Sequence, residues 1–304
     1  MAFSRSAGLP PNGAKGYFGD VGRYLRRGDL TTGNLEGTLG RAPLTKCRGD
    51  CHEFQAPASY AGVFRRAGFG LLNLANNHSH DAGERGLRDT RRALHAAGVG
   101  HTGLNGQIAV KRVGGVRVAF LGFAPYRWAS PLLDIGAARS LVRRASRRAD
   151  VVVVFTHGGA EGADAAHVPH GTEHDFGENR GATRAFAHAV VDAGADAVLG
   201  SGPHVLRGIE CYRRGVIAYS LGNFAPYRTL STSGILGLSG VLHVKLSPSG
   251  RFTGGQLWPV RLDRPGVPRR DGKRGAVKLV RRLSKQDFGR RACPVSATGR
   301  IKPR

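Results

Sequence analysis

The side chains best suited to chemistry concentrate in one short run, Asn76-Asn77-His78-Ser79-His80-Asp81, which sets two amides, two imidazoles and a carboxylate within six positions. Comparable groups recur along the chain. Asn34 and Glu36 stand two positions apart, and His157 is followed by Gly158-Gly159 and then Glu161. His204 closes Ser201-Gly202-Pro203-His204, and Asn223 lies in Ser220-Leu221-Gly222-Asn223-Phe224. Carboxylate, imidazole and amide oxygen together suit a divalent transition metal, and neighbouring glycines let the backbone approach a bound group closely. A lone histidine behind a strand is more often a hydrogen-bonded structural group than a ligand. The recurrence is what argues for a site.

Each group falls at the end of an expected strand. Asp29–Leu35 delivers Asn34 and Glu36, Gly70–Ala75 delivers Asn77 and His78, and the apolar run Val151–Phe155 delivers His157 and Glu161. Ala197–Leu199 leads to His204, and Val216–Tyr219 to Asn223. Helices are expected at Tyr17–Arg27, Ser59–Ala67, Leu87–Ala97, Ala137–Ala149 and Ala182–Ala193. Hairpins are expected for Ile108–Val113 with Val116–Phe123 and for Val241–Leu246 with Arg251–Val260. Strands alternating with helices make an α/β chain, and in open α/β sheets the loops at the carboxyl ends of strands carry the sites.

At 304 residues and 40% apolar content the chain can bury a real core, and no run reaches the ~18 apolar residues of a membrane span. Its formal charge is +25. Asp263–Arg304 alone holds 14 Lys/Arg against 3 Asp/Glu. Such a balance favours polyanionic partners: nucleic acid, teichoic-acid-like polymer, acidic capsule or anionic lipid. Biased codon usage in an Arg-, Ala- and Gly-rich chain accounts for it equally well. Residues 1–16 are Gly/Pro/Ser-rich and expected to be disordered, 17–262 to form the folded domain, and 263–304 to be a basic, mostly flexible tail. Of four cysteines, Cys47 and Cys51 flank an Arg48-Gly49-Asp50 turn, close enough for a small disulfide loop. Cys211 is expected to pack as a small apolar residue, and Cys293 has no evident partner. A disulfide implies an oxidising compartment, yet Met1–Lys15 shows no signal-peptide pattern. The two indications oppose each other.

Taken in order, the motifs resemble the CapA family, the poly-gamma-glutamate capsule synthesis proteins, which are similar to calcineurin-like metallophosphatases. The resemblance rests on Asp29-Leu30-Thr31-Thr32-Gly33-Asn34-Leu35-Glu36, on Ala75-Asn76-Asn77-His78 with Asp81 and Gly83, and on Thr156-His157-Gly158-Gly159-Ala160-Glu161-Gly162. It continues through Gly194-Ala195-Asp196-Ala197-Val198-Leu199-Gly200, Gly202-Pro203-His204-Val205 and Tyr219-Ser220-Leu221-Gly222-Asn223-Phe224. It implies a sandwich of two β-sheets flanked by helices, with the motif loops converging at one edge. It also implies an extracellular or cell-envelope setting, which favours the Cys47–Cys51 disulfide.

By position, the resemblance makes Glu36 a bridging metal ligand, Asn77 and His157 ligands of one metal, and His204 a ligand of the other. His78 becomes the catalytic imidazole, oriented by Asp81, while Asn34, Asn76, Glu161 and Asn223 line the site. Two departures matter. The family's first strand, ending in Gly-Asp, is missing ahead of Tyr17, and Gly19-Asp20 belongs instead to the first expected helix. The last motif carries one histidine, His204, rather than two. These losses leave one divalent metal (Mn, Fe or Zn) rather than two. The missing strand suggests a chain that begins late, with an unpaired sheet position and poor stability.

Three functions follow. The first is a metal-dependent phosphoesterase or other hydrolase acting on a phosphoester or on an anionic envelope polymer. The second is a non-catalytic, truncated or degenerate scaffold that binds or helps export such a polymer. The third, nucleic-acid binding through the basic tail, ranks last, because the tail has one aromatic residue, Phe288, and no groove-reading motif.

Overall fold

The computed structural model describes residues 1–47 and 51–304. The turn expected at Arg48–Asp50 lies outside the described residues. The central sheet has seven strands. Its path runs Ile209–Tyr212, Gly215–Ala218, Ala197–Ser201, Val151–His157, Val116–Ala124, Ala109–Val113, with Ser130–Pro131 paired to Val116–Ala124. The middle strands are parallel and the two edges are closed by antiparallel hairpins. Val151–His157 is buried along its whole length, as expected of a parallel strand covered on both faces. Val152 and Val154 pack with Leu141, Val142, Phe186 and Val190 of the helices Ile135–Ser146 and Thr183–Asp192. Val151, Val153 and Phe155 face the other way, against Phe252, Leu257, Val280 and Leu283. The period-two alternation of one strand thus closes two cores.

A second, parallel sheet orders Thr31–Asn34, Phe69–Asn73 and Gly100–Thr102. A four-stranded antiparallel sheet is built from Leu238–Leu246, Phe252–Asp263, Val267–Arg270 and Arg300–Ile301. Asn34, Asn73, His157 and Ser201 each end a strand with a parallel neighbour, so these motif loops leave both sheets from strand carboxyl ends. The α/β architecture expected from the alternating pattern is present. Among the described residues no helix is long and apolar enough to cross a membrane.

Several expectations are corrected. The segment 1–16 is built into the fold: Ala2–Phe3 pairs in parallel with Pro226–Tyr227, and Ala2 also bridges to Glu36. The sheet position beside Glu36 is therefore filled. Phe3 anchors the segment, its ring edge-on to Tyr17 and Tyr60 at 5.7 and 5.3 Å. Tyr17–Arg27 holds only one helical turn, Gly22–Leu25, since glycines at 19 and 22 weaken a helix there. Asp20 is no ligand; it accepts the Arg270 backbone N–H at 2.6 Å and Nε–H at 3.0 Å.

The basic tail is folded. Its helix Gly275–Phe288 buries Ala276, Val277, Val280, Leu283 and Phe288, a stripe at helical spacing that the charge around it conceals. Cys211 and Cys293 form a disulfide between the sheet edge and this segment, and Cys47 pairs with Cys51. Between Phe155 and the helix Thr183–Asp192 the chain forms an antiparallel pair, Glu173–Asp175 with Glu178–Gly181.

Candidate metal centre

Glu36 emerges just past the strand Thr31–Asn34 and is 4% exposed. Its Oε1 lies 3.8 Å from His157 Nε2 and 3.5 Å from His204 Nε2. His204 Nε2 is also 3.5 Å from Glu161 Oε2. The tautomers follow from the outer contacts. Ser201 Oγ donates its single proton to the Thr156 carbonyl at 2.9 Å, so at 3.2 Å it accepts from His157 Nδ1–H. His204 Nδ1–H likewise donates to the Asn223 side-chain carbonyl at 2.8 Å. Both Nε2 lone pairs then turn toward carboxylates. Holding the distal ring nitrogen by a hydrogen bond is how a metal-binding imidazole is oriented.

Burial, with a contribution from Arg180, holds His157 down to about 3 against the upward pull of Glu36, so its ring is neutral. Burial alone would push the Glu36 carboxyl up, but His204, His157, His78 and the Met1 amine outweigh it and bring it down to about 2. Glu161 is shifted upward, burial outweighing His204 and Arg180.

The run Asn76–Asp81 supplies the other wall. Asn76 is fully buried and clamps it: its Nδ2 donates to Asn34 Oδ1 (3.0 Å) and the Leu35 carbonyl (2.8 Å), while its Oδ1 accepts from His78 N–H and Ser79 Oγ. Asn34 reaches Glu36 Oε2 only at 3.5 Å. His78 Nδ1 is 2.8 Å from Asp81 Oδ2, an oxygen that also accepts the Phe54 backbone N–H at 2.6 Å. This leaves His78 Nε2 for another partner. Lys46 Nζ completes the group, 3.4 Å from Asp81 Oδ1 and donating to the Asn77 backbone carbonyl at 3.2 Å.

Two buried arginines hold the loop after His157. Arg180 pairs with Glu161 Oε1 at 2.7 Å and donates to the Gly159 carbonyl. Arg207 grips both Glu173 oxygens, at 3.1 and 2.5 Å, and donates to the carbonyls of Ala160 and Ala165. The loops are in close contact. A Cβ on Gly202, at φ +114°, would come within 2.7 Å of the Gly158 carbonyl oxygen, and one on Gly159, at φ +87°, within 2.9 Å of Arg207. His204 itself adopts a left-handed φ of 55°, a strained conformation for a side-chain-bearing residue.

Six buried side-chain polar atoms have no hydrogen-bond partner among the described residues, and Glu36 Oε1, Asn77 Oδ1 and His157 Nε2 are three of them. Buried polar atoms left unpaired are costly, and all three are acceptors. A cation suits such a donor set. No three His, Cys, Asp or Glu side chains among the described residues form a cage by themselves.

Residues 4–227 match the family described as bacterial capsule synthesis protein PGA_cap. The chain belongs to this family. A capsule biosynthesis protein CapA of Bacillus anthracis is 33% identical over 232 residues, covering 68% of this chain and 53% of that protein. A PGA biosynthesis protein CapA of Bacillus subtilis is 31% identical over 229 residues, covering 70% and 57%. The PGA_cap chain thus spans little more than half the length of these relatives. A 5′-nucleotidase precursor from Thermus thermophilus aligns in structure with a TM-score of 0.43 at 14% identity, over 75% of this chain and 45% of that one.

Within the PGA_cap chain, direct contacts join Glu36, His157, His204, Glu161 and Asn223, and hydrogen bonds tie Asn34, Asn76, His78 and Asp81 alongside. Asn77 lies in the same loop, its side-chain oxygen buried and unpaired among the described residues. Sequence reasoning missed Lys46, Asn73, Arg180, Ser201 and Arg207. Asn73 was readable, since an asparagine ending an apolar strand is unusual; its Nδ2 donates to Asn34 Oδ1 at 3.1 Å. The arginines carried no such signal among 46 Lys/Arg.

Proposed function

We propose that this PGA_cap chain serves the synthesis or export of an anionic cell-envelope polymer of poly-gamma-glutamate type, through a metal-dependent hydrolase centre. The observation that carries the reading is the trio of buried, unpaired acceptors on Glu36, Asn77 and His157. These residues would hold one divalent cation (Mn, Fe or Zn), with His204 beside them. When bound, the cation supplies Lewis acidity to a substrate oxygen. The remaining work falls to side chains. His78, fixed through Nδ1 by Asp81, presents Nε2 to give or take a proton at the scissile bond. Lys46 draws an anionic substrate toward that imidazole. Arg180 keeps Glu161 in place at the His204 edge, and Trp128, whose Nε1 donates to the Asn76 carbonyl at 2.9 Å, braces the loop that carries Asn77. Two disulfides support an oxidising, envelope location.

The alternative, a non-catalytic polymer-binding scaffold, draws support from the lack of a three-residue cage of His, Cys, Asp or Glu among the described residues. Elemental analysis of the purified chain, before and after chelation and with His157→Ala alongside, separates the two. About one Mn, Fe or Zn per chain, lost in the variant, is expected. Metal-free protein in both cases would sink the hydrolase reading in favour of the scaffold.

A further inference from the structure

The folded tail closes a cleft of about 800 Å³ that shares no residue with the candidate metal centre. Its inner wall is Trp258, stacked on Tyr24 at 4.8 Å and 13°. The Arg27 guanidinium lies 4.8 Å from the Trp258 ring centroid, and that of Arg23 lies 5.0 Å from the Tyr24 ring. Five arginines line the cleft against three aspartates. The aspartates are all engaged. Asp20 holds Arg270, and Asp263 is shared by Arg261 and, at 3.9 Å, Arg269. Asp271 is buried and accepts the backbone N–H groups of Lys273 and Gly275. Arg23 and Arg274 are exposed and have no acidic partner among the described residues. The cleft therefore keeps a surplus of forked donors.

We propose that this cleft binds a flexible polycarboxylate chain. Guanidinium forks match carboxylates in bidentate geometry, and the volume falls within the ~300–1,000 Å³ range of clefts that enclose a ligand, enough for a short stretch of chain. Single-stranded nucleic acid is the less suitable polyanion, because its grooves offer aromatic faces to the bases and here Tyr24 and Arg27 already cover the Trp258 indole. The proposal rests on the reading above only in expecting an anionic polymer. The cleft and the metal centre are separable sites.

The test uses the full chain and fluorescein-labelled poly-L-glutamate, followed by anisotropy at low and physiological salt. Arg23→Ala/Arg274→Ala should weaken binding about tenfold or more, two charge-assisted contacts being lost. Arg143→Ala/Arg144→Ala, exposed on the helix Ile135–Ser146 and outside the cleft, should change it less than about twofold, with both doubles melting like wild type. His157→Ala should lose metal and keep polymer binding, so that failure of the hydrolase reading leaves this one standing. Equal loss in both arginine doubles, or no binding by wild type, would overturn the proposal. Displacement by polyphosphate or oligo-dT at lower concentration than by unlabelled polyglutamate would overturn the choice of a polycarboxylate.

Discussion

His204 Nε2 lies 3.5 Å from Glu36 Oε1, lone pair toward carboxylate. With its Nδ1 proton committed to Asn223, the ring has nothing to donate on that side unless it takes a second proton. The same opposition holds for His157 and Glu36 at 3.8 Å. Acceptors facing acceptors in a buried place are stabilised by a positive charge between them, whether proton or cation. If the site takes a cation as proposed, protons compete with it for that spot, which gives the site a pH signature.

For His157 the sign can be worked out. Burial lowers it from the ordinary 6.5 to about 3, so between those values the unfolded chain binds more protons than the folded one. Stability then rises with pH across that window. Glu36, brought down from 4.5 to about 2, adds a loss of the same sign below pH 4.5. In chelator-treated protein, the melting temperature should drop steadily from about pH 6.5 toward pH 3. His157→Gln, which cannot titrate, should flatten the upper part of that slope. An unchanged slope in the variant would mean that His157 is not the buried neutral group described.

Asn76 and Asn77 are adjacent but should fail differently. Asn76→Ala strips partners from Asn34, the Leu35 carbonyl, the His78 N–H and Ser79. Leaving several buried groups unpaired should cost about 3 kcal/mol or more in denaturant unfolding. Asn77→Ala removes an oxygen that has no partner among the described residues. It should leave metal-free stability unchanged within about 0.5 kcal/mol and abolish the rise in melting temperature that added Mn or Zn gives wild type. Equal destabilisation by both substitutions would count against a ligand role for Asn77.

The strands that deliver the site were legible because two-sided burial leaves a plain mark: Val151–Phe155 has no polar residue to interrupt it. The loops were legible because glycines and metal-grade side chains follow those strands directly. What escaped has a physical cause in each case. Gly275–Phe288 carries its apolar stripe between Lys278, Arg281, Arg282 and Lys285, so net charge hid a helix that packs on the core. Cys211 and Cys293 are 82 positions apart, and nothing local marks them as partners. Arg180 and Arg207 are each 1% exposed, yet long cationic residues are by default surface residues. Only the tertiary fold shows which two of them are sealed inside against Glu161 and Glu173.

That burial makes Arg207 a sensitive position. Its guanidinium is held by both oxygens of Glu173, itself 5% exposed, and removal leaves that carboxylate buried without its cation. Arg207→Met should destabilise the chain by about 3–5 kcal/mol. The double variant Arg207→Met/Glu173→Gln should recover part of the loss, since a neutral amide tolerates the site better than a stranded charge. A double variant as unstable as the sum of the singles would deny the pair its coupling.

The two disulfides should differ in size of effect and in what they protect. Cys211–Cys293 spans 82 positions and ties the edge strand Ile209–Tyr212 to the segment after the tail helix, whereas Cys47–Cys51 spans only 4. If constraint of the unfolded chain dominates, stabilisation grows with the logarithm of loop length, giving about 4.5 kcal/mol for the first and about 2 kcal/mol for the second. Cys211→Ser/Cys293→Ser should accordingly lower the urea midpoint more than Cys47→Ser/Cys51→Ser. It should also loosen the tail helix, and with it the arginine-lined cleft, so that polyglutamate binding weakens at denaturant concentrations where wild type still binds. The shorter bridge adjoins Lys46, whose backbone N–H, with that of Cys47, donates to Glu53 Oε1 at 2.9 and 3.0 Å. Its loss should act on the lysine beside His78 and Asp81 while the cleft stays intact. Finding the reverse order of midpoints would mean that the tail docks through its apolar stripe alone, with the Cys211–Cys293 bond adding little.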